Sequence, residues 1–330
     1  MSSHVLITGG CGFAASHLVE HLLANTDWKL TILDGLTYAG DAGRIYDAGK
    51  FDRERVRIFW HDLRSPIMST LARRIGPVDY IVNAASNSHI DASIQDPVPF
   101  VQNNVSIALH VLEYARIFLP NLGSCIQFET DEIYGSMEKD GEPYKEWAAV
   151  NPSNPYSASK SCMSCIAISY WRTYGIPVVL VAPMNLFGER QDREKFIPKC
   201  VRAIAAGEEV VIHGTKENIG SRHWLHARNI SDAILFLLNR PVAKYPEAER
   251  PDRYNVVGDR LDNLAMAKKI AGIIGLPLVY RFDNNPRSRP GHDLHYGLDG
   301  SKLAALGWKA PMDLDTSLER TVKWMLANTW

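Results

Sequence analysis

The chain has 330 residues, of which 46% are hydrophobic, and 36 basic and 37 acidic side chains leave a formal net charge of −1. This length suits one large domain or two modest ones with a sizeable core. The near-neutral charge, and the lack of a basic run with interleaved aromatic residues, argue against nucleic acid as a partner.

Five cysteines, an odd number in a long chain, argue against a disulfide scaffold. Cys162 and Cys165 form a CxxC pair in a predicted helix. Without a second Cys or His pair nearby, packing is favoured over metal or redox work, and no metal site is expected. The chain enters a strand at once, without a secretory leader or a stretch that could span a membrane, so a cytoplasmic location is expected.

Short apolar runs alternate with helical patterns over the first 185 residues. Strands are predicted at 5–8, 30–33, 56–60, 80–84, 125–128 and 178–182. Helices are predicted at 13–25, 66–75, 98–117 and 157–174. This alternation predicts an α/β fold with a Rossmann-type, doubly wound parallel sheet.

The pattern changes after Gly188, where short helices at 197–206 and 262–274 mix with irregular, charged stretches. We therefore predict a first domain at 1–188 and a smaller, irregular α/β C-terminal lobe at 189–330. A segment near 222–240 is expected to return to the first domain.

A glycine-rich turn lies between the first strand and the first helix. Gly9 and Gly12 allow a tight turn and close approach of the backbone to a pyrophosphate, although Ala15 replaces the third glycine of the usual pattern. Asp34 ends the second strand, where a carboxylate accepts from both ribose hydroxyls and repels a 2′-phosphate, which favours NAD over NADP. Asp62, after the third strand, is placed to hold the adenine edge.

Two further segments supply acid, base and hydroxyl groups. Tyr156 and Lys160 are four residues apart, so they share one face of the predicted helix, where Lys160 would lower the pKa of Tyr156. Thr130, Asp131 and Glu132 follow the fifth predicted strand. This set suits oxidation, elimination and reduction on one bound substrate.

Almost the whole chain resembles the extended short-chain dehydrogenase/reductases, and within them the nucleotide-sugar 4,6-dehydratases. Besides the glycine turn, the segments that carry the resemblance are 36–40, 88–91, 130–135, 155–160, 222–225, 289–293 and 306–308. The Asp-Glu pair after Thr130 is the specific part, because plain epimerases of this superfamily usually lack it.

The resemblance implies a catalytic role for each member of the set. Tyr156 would be the base on the sugar C4 hydroxyl, with Thr130 hydrogen-bonded to the same oxygen and Lys160 on the nicotinamide ribose. After C4 oxidation by NAD, Glu132 would remove the C5 proton and Asp131 would protonate the departing C6 hydroxyl.

The resemblance also implies the binding residues. Those for NAD are Gly9, Gly12, Phe13, Ala14, Asp34, Leu36, Thr37, Asp62, Leu63, Ala84, Ala85, Ser86, Asn103, Tyr156 and Lys160. Those for a nucleotide-diphospho-sugar are Ser88, Thr130, Asn185, Lys195, Phe196, Arg222, Asn255, Arg289, His292 and Tyr296. Arg222 and Arg289 would clamp the diphosphate, for which planar donors are suited.

Two departures from the family pattern stand out. Glu129 takes the place of a serine, and it either faces the pocket or is neutralised by a nearby Arg or Lys. The usual Ser-Asn-Asn-Tyr reads Met184, Asn185, Leu186 and Phe187 here, which puts the particular sugar in doubt more than the reaction class.

The alternatives are a related enzyme that forms a 5,6-ene, epimerises or decarboxylates, and an inactive NAD-binding regulator. In the family, the helices equivalent to 98–117 and 157–174 pair across a dimer. A homodimer is therefore expected.

Overall fold

The computed structural model describes residues 2–46, 51–285 and 293–328. Its central feature, within these ranges, is a parallel sheet of seven strands in the order β10-β6-β5-β4-β1-β2-β3. The strands are β1 (His4–Thr8), β2 (Lys29–Asp34), β3 (Val56–Trp60), β4 (Tyr80–Asn83), β5 (Ser124–Phe128), β6 (Val178–Pro183) and β10 (Asp252–Val256). The predicted Rossmann-type fold is confirmed.

Helices cover both faces of this sheet. Successive side chains of a strand point to opposite faces, so Val5 and Ile7 join one core cluster and Leu6 joins the other. The helices of this domain are α1 (Phe13–Asn25), α2 (Gly43–Tyr46), α3 (Ser69–Ile75), α4 (Ile90–Gln95), α5 (Pro97–Phe118), α6 (Pro155–Tyr174) and α8 (Ala227–Leu238). The first cluster contains side chains of α1 and α8, and the second contains side chains of α3, α5 and α6.

A third core cluster lies in the C-terminal part of the chain, where Ile204, Ile270 and Leu318 pack together. Its helices are α7 (Phe196–Ala205), α9 (Asn263–Ile274), α10 (Ser301–Ala305) and α11 (Leu314–Ala327), of which α10 packs on β10 instead. Two small sheets, β11-β9-β7 and β12-β8, are formed by β7 (Asn185–Phe187), β8 (Val210–His213), β9 (Ser221–His226), β11 (Asp259–Asp262) and β12 (Tyr280–Asp283).

The chain returns to the first domain twice. Helix α8 packs against α1, as expected for the segment near 222–240. Strand β10 also adds to the edge of the seven-stranded sheet, beside β6, and this strand is absent from the sequence predictions. A buried parallel strand is ordinarily almost wholly apolar, so the polar residues Asp252, Arg253 and Asn255 kept this segment from being predicted as a strand.

The cysteines carry free thiols. Cys162 and Cys165 are exposed on α6, so the expectation that they pack in the interior of the chain is wrong. The helical period places both on the outward face, while Met163 and Ala167 face the sheet.

Candidate active site

A cavity of about 680 Å³ opens where the carboxyl ends of the central strands meet the C-terminal part of the chain. Doubly wound sheets bind their ligands at this edge. The predicted residues that line it are Gly9, Gly12, Phe13, Ala14, Asp34, Thr37, Asp62, Leu63, Ala84, Ala85, Ser86, Ser88, Asn103, Thr130, Asp131, Glu132, Tyr156, Lys160, Asn185, Lys195, Phe196 and Arg222. One cavity therefore gathers the predicted cofactor and catalytic residues with most of the predicted substrate residues.

The glycine turn has the geometry that a dinucleotide requires. Gly9 has φ +67°, and a Cβ there would lie 2.7 Å from the Cα of Ala85, so any larger residue would clash with the backbone. Gly12 is the N-cap of α1 and leaves the helix without a side-chain cap. The open helix start, with its free N–H groups and positive dipole end, suits a pyrophosphate. The residues present thus fit NAD.

Asp34 stands at the end of β2, where its carboxylate is held by the backbone. Its two oxygens accept from the N–H of Cys11 and the N–H of Leu36, each at 2.8 Å. Each carboxylate oxygen has a second lone pair for a ribose hydroxyl. Leu36 itself has φ +46° and does not line the cavity, whereas the neighbouring Thr37 does.

Asp62 lies on a more open part of the cavity wall. Its carboxylate forms an ion pair with Arg64 at 2.6 Å, and its side chain is 45% exposed. Leu63, next to it, is buried.

Thr130 connects the carboxyl pair, Asp131 and Glu132, to Tyr156. Strand β5 ends at Phe128, and Thr130 is the N-cap of a short 3₁₀ helix, Asp131–Tyr134. The Thr130 hydroxyl donates to Oδ1 of Asp131 at 3.1 Å and accepts from the N–H of Glu132 at 3.4 Å. It is also hydrogen-bonded to Tyr156. The turn therefore fixes both carboxyls against the tyrosine.

The environment of the two carboxyls favours shared protonation. Burial raises the pKa of Asp131. Burial and the neighbouring Asp131 charge raise the pKa of Glu132, against the opposing effect of Arg222. Oδ2 of Asp131 is buried without a hydrogen-bond partner. The unpartnered oxygen can carry a proton, and the raised pKa values allow either carboxyl to hold one near neutral pH.

Helix α6 presents Tyr156 and Lys160, both buried, to the cavity. Burial and the charge of Glu132 raise the pKa of Tyr156, while the hydrogen bond with Thr130 lowers it. Burial lowers the pKa of Lys160 to about 8. Lys160, which was predicted to lower the pKa of Tyr156, is not among the main influences on that pKa. The charge that acts most on Lys160 is that of Glu129.

Glu129 lines the cavity and is also paired with an arginine, so each of the two interpretations of this departure holds in part. Both oxygens of Glu129 accept from the guanidinium of Arg253, at 2.6 and 2.9 Å, and both side chains are buried. The strand alternation that would aim Glu129 and Asp131 the same way ends at Phe128. The paired carboxylate is part of the cavity wall, and its charge raises the pKa of Lys160 against the effect of burial.

The predicted substrate residues divide between the cavity wall and its surroundings. Arg222 is buried and donates to the carbonyls of Asp293 and Leu294, which ties the segment after residue 292 to the site. Its guanidinium lies 4.4 Å from the centre of the Tyr296 ring. Nδ2 of Asn185 and the Tyr296 hydroxyl are buried without partners. Such polar groups are typical of a ligand site.

Other predicted residues lie elsewhere. Asn255 is fully buried on β10 and donates to the carbonyls of Tyr144 and Asp299, so it supports the loop behind the site and does not line the cavity. Tyr296 lies behind Arg222, outside the cavity lining. Arg289 and His292 lie outside the described residues.

The sequence analysis did not single out Asn154. This residue caps α6 through a reciprocal capping box with Ser157, and its Nδ2 lies 3.5 Å from Oε2 of Glu132. The Asn-Pro start of the helix is a signal that could have found it. Lys199, Glu209 and His213, which line the far end of the cavity, carry no comparable signal in the sequence.

The model of the NAD dependent epimerase/dehydratase family matches residues 5–256. The chain belongs to this family. The family assignment confirms the resemblance drawn from the sequence, the class of enzyme and the dependence on NAD.

Three proteins illustrate the similarity. The low-salt glycan biosynthesis protein of Haloferax volcanii is 33% identical over 98% of this chain and 99% of its own length. The dTDP-glucose 4,6-dehydratase 1 of Escherichia coli is 30% identical over 98% of this chain and 93% of its own. The crystal structure of a dTDP-glucose 4,6-dehydratase from Streptomyces venezuelae with NAD bound superposes with a TM-score of 0.85, at 31% identity over 98% and 97% of the two chains.

Within the residues that the structure describes, no group of three or more His, Cys, Asp or Glu side chains has the arrangement of a metal site. In the same ranges, each helix is too short or too polar to cross a bilayer.

Proposed function

We propose that the protein is an NAD-dependent dehydratase that converts a nucleotide-diphospho-hexose into its 4-keto-6-deoxy derivative. The observation that carries this proposal is the Asp131–Glu132 pair in the cavity wall, fixed by Thr130 beside Tyr156. An oxidation at C4 alone needs the tyrosine and the threonine, whereas the two carboxyls with raised pKa values suit a proton abstraction and a proton donation.

Each residue has a defined role in this reaction. Tyr156 accepts the proton of the C4 hydroxyl, and Thr130 hydrogen-bonds the same oxygen. The C4 carbonyl acidifies the C5–H bond, so Glu132 removes that proton while Asp131 protonates the C6 hydroxyl, which leaves as water. NAD, when bound, supplies the hydride acceptor for C4 and returns the hydride to C6. Glu132 then gives a proton back to C5.

The cofactor would lie along the carboxyl edge of the sheet. The free start of α1 suits the pyrophosphate, and the carboxylate of Asp34 suits the adenosine ribose. Lys160 would donate to the nicotinamide ribose; burial lowers the pKa of its ammonium to about 8, and the charge of Glu129 opposes this effect. These positions leave the side of the cavity near Arg222 and Asn185 for the sugar nucleotide.

We propose residues 1–188 as the NAD-binding domain and residues 189–330 as the substrate lobe. The packing of α8 on α1 and the pairing of β10 with β6 support a return of the chain from the lobe to the first domain.

We propose that the protein is a homodimer of the cytoplasm. Helices α5 and α6 lie side by side, and Val98, Leu109 and Ile117 of α5 are exposed. A second copy of this helix pair would bury them. Sedimentation at micromolar concentration should give the mass of two chains, and the mass of one chain would refute the dimer.

The reaction is tested by incubating the enzyme with sugar nucleotides in deuterated water. We expect a base-labile 4-keto product with one deuterium at C5 and a C6 methyl signal in its NMR spectrum. The family also contains epimerases, so the test must separate the candidates. An epimerase leaves the mass of the sugar unchanged, and an enzyme that stops at the 5,6-ene loses water without forming a methyl group. Either result would overturn the proposal.

A further inference from the structure

Arg44, on the one-turn helix α2, is a buried cation beside the cavity. It is 9% exposed, and its guanidinium makes four hydrogen bonds. It donates to the backbone carbonyls of Cys11, Ala39 and Arg190, and its Nη2 forms an ion pair with Oδ1 of Asp192 at 2.7 Å. The planar, five-donor guanidinium is suited to join several acceptors at once.

These acceptors belong to three separate segments of the site. Cys11 is part of the glycine turn, and Ala39 belongs to the loop that follows Asp34. Arg190 and Asp192 belong to the loop after β7, which leads to Lys195. Ala39 and Asp192 both line the cavity, so one side chain connects a wall on the cofactor side to a wall on the substrate side.

The loop after β7 is shaped to present these acceptors. Arg190 has φ +64°, an uncommon conformation for a residue other than glycine, and its guanidinium is fixed to Glu20 of α1 at 2.7 Å. The carbonyl of Asp192 accepts from the N–H of Lys195 at 3.0 Å, which closes a turn around the acidic side chain. Both ends of the contact with Arg44 are therefore held by contacts within the protein.

We propose that Arg44 and Asp192 form a clasp that retains the dinucleotide in the cavity between turnovers. Because the proposed reaction regenerates NAD in every cycle, the enzyme gains from slow release. Escape of the adenosine end requires the loop that contains Ala39 to move away from the loop that contains Asp192. The clasp rests on the proposed function in that it needs NAD to bind in this cavity.

The test measures how fast bound NADH leaves. NADH is bound to the protein, an excess of NAD is mixed in by stopped flow, and the decay of NADH fluorescence gives the dissociation rate. Asp192→Asn removes the ion pair and retains the three carbonyl contacts of Arg44, so we expect release roughly tenfold faster. Arg44→Met should be at least as fast. The double variant should be no faster than Arg44→Met, because both changes break the same contact.

A second readout separates retention of NAD from simple damage to the fold. Diluted Asp192→Asn enzyme should lose activity with time and regain it when NAD is added, which a structural defect would not allow. Asp192→Glu, which restores the carboxylate, should slow release again. Lys269→Met, which removes the exposed ion pair of Lys269 with Asp315, is the matched control and should release NADH at the wild-type rate.

The clasp is overturned if folded Asp192→Asn releases NADH within about twofold of the wild-type rate, the range of an unchanged contact. If Arg44→Met fails to fold, the release rate of Asp192→Asn alone tests the clasp. A wild-type protein that binds no NADH would instead refute the proposed function.

Discussion

The substitution Glu132→Gln tests the core of the proposed chemistry. Glutamine has nearly the same shape and can still accept from Asn154, whose Nδ2 lies 3.5 Å from the Glu132 carboxylate. What is lost is the ability to accept the C5 proton. A positioned general base contributes about 10²–10⁴ in rate, or roughly 3–5 kcal/mol of activation free energy. We expect the upper part of this range, because the nearest other carboxyl, Asp131, is engaged by Thr130.

The assay separates the two halves of the reaction. Tyr156 and Thr130 are untouched, so C4 oxidation should proceed and the absorbance of enzyme-bound NADH should appear and persist. Release of the dehydrated product should fall by the factor given above. Glu138→Gln, in an exposed loop, is the matched control and should turn over normally.

The same substitution should not destabilise the fold. The pKa of Glu132 is raised in the folded state, so its carboxylate opposes folding at pH values above about 4.5, its ordinary value. Removal of that charge should leave the melting temperature at neutral pH equal or higher. Normal turnover by Glu132→Gln, or a loss of the NADH signal from a folded variant, would refute the assignment of Glu132 as the base.

Three further substitutions test Tyr156, the buried ion pair of Glu129 and the buried side chain of His17. Tyr156→Phe should abolish even the first NADH absorbance, and an undiminished signal would remove Tyr156 as the base at C4. Glu129→Gln strands the buried charge of Arg253 and should lower the free energy of unfolding in urea by about 3–5 kcal/mol; a loss below about 1 kcal/mol, typical of an exposed pair, would contradict that reasoning. His17 is buried, and burial and the charge of Arg190 lower its pKa below the ordinary 6.5. Below pH 6.5 the unfolded chain therefore binds a proton that the folded chain does not, so the free energy of unfolding falls as the pH falls. In His17→Gln the loss of unfolding free energy between pH 7.5 and 5.5 should be smaller by up to ~1.4 kcal/mol per pH unit, and identical pH dependence in the two proteins would exclude this role.

Local signals in the sequence located most of the sheet and the catalytic turn. The strands β1 to β6 are mostly apolar, and the glycine turn carries its own backbone requirement at Gly9. Thr130 and Tyr156 belong to short motifs, so their placement follows once the strand and the helix are known. These features could be predicted because each depends on residues that are close together in the sequence.

Features that depend on distant partners were not predictable. Strand β10 carries Arg253 in the place of an apolar residue because Glu129, 124 positions earlier, requires a buried cation. Asn255 resembles a ligand-binding amide in sequence, yet its Nδ2 donates to the carbonyls of Tyr144 and Asp299, and its Oδ1 is buried without a partner. Arg44 gave no signal at all, because its four acceptors come from segments that only the folded chain brings together.

The pairing of Glu129 with Arg253 bears on which part of the chain can fold by itself. The carboxylate precedes the catalytic turn by one residue, whereas its cation comes from β10, the last strand of the sheet in chain order. A fragment that ends before β10 would bury the Glu129 carboxylate without its counter-charge, which is strongly destabilising. We therefore expect a fragment cut at residue 188 to be unstable, although it contains the glycine turn, the carboxyl pair and Tyr156.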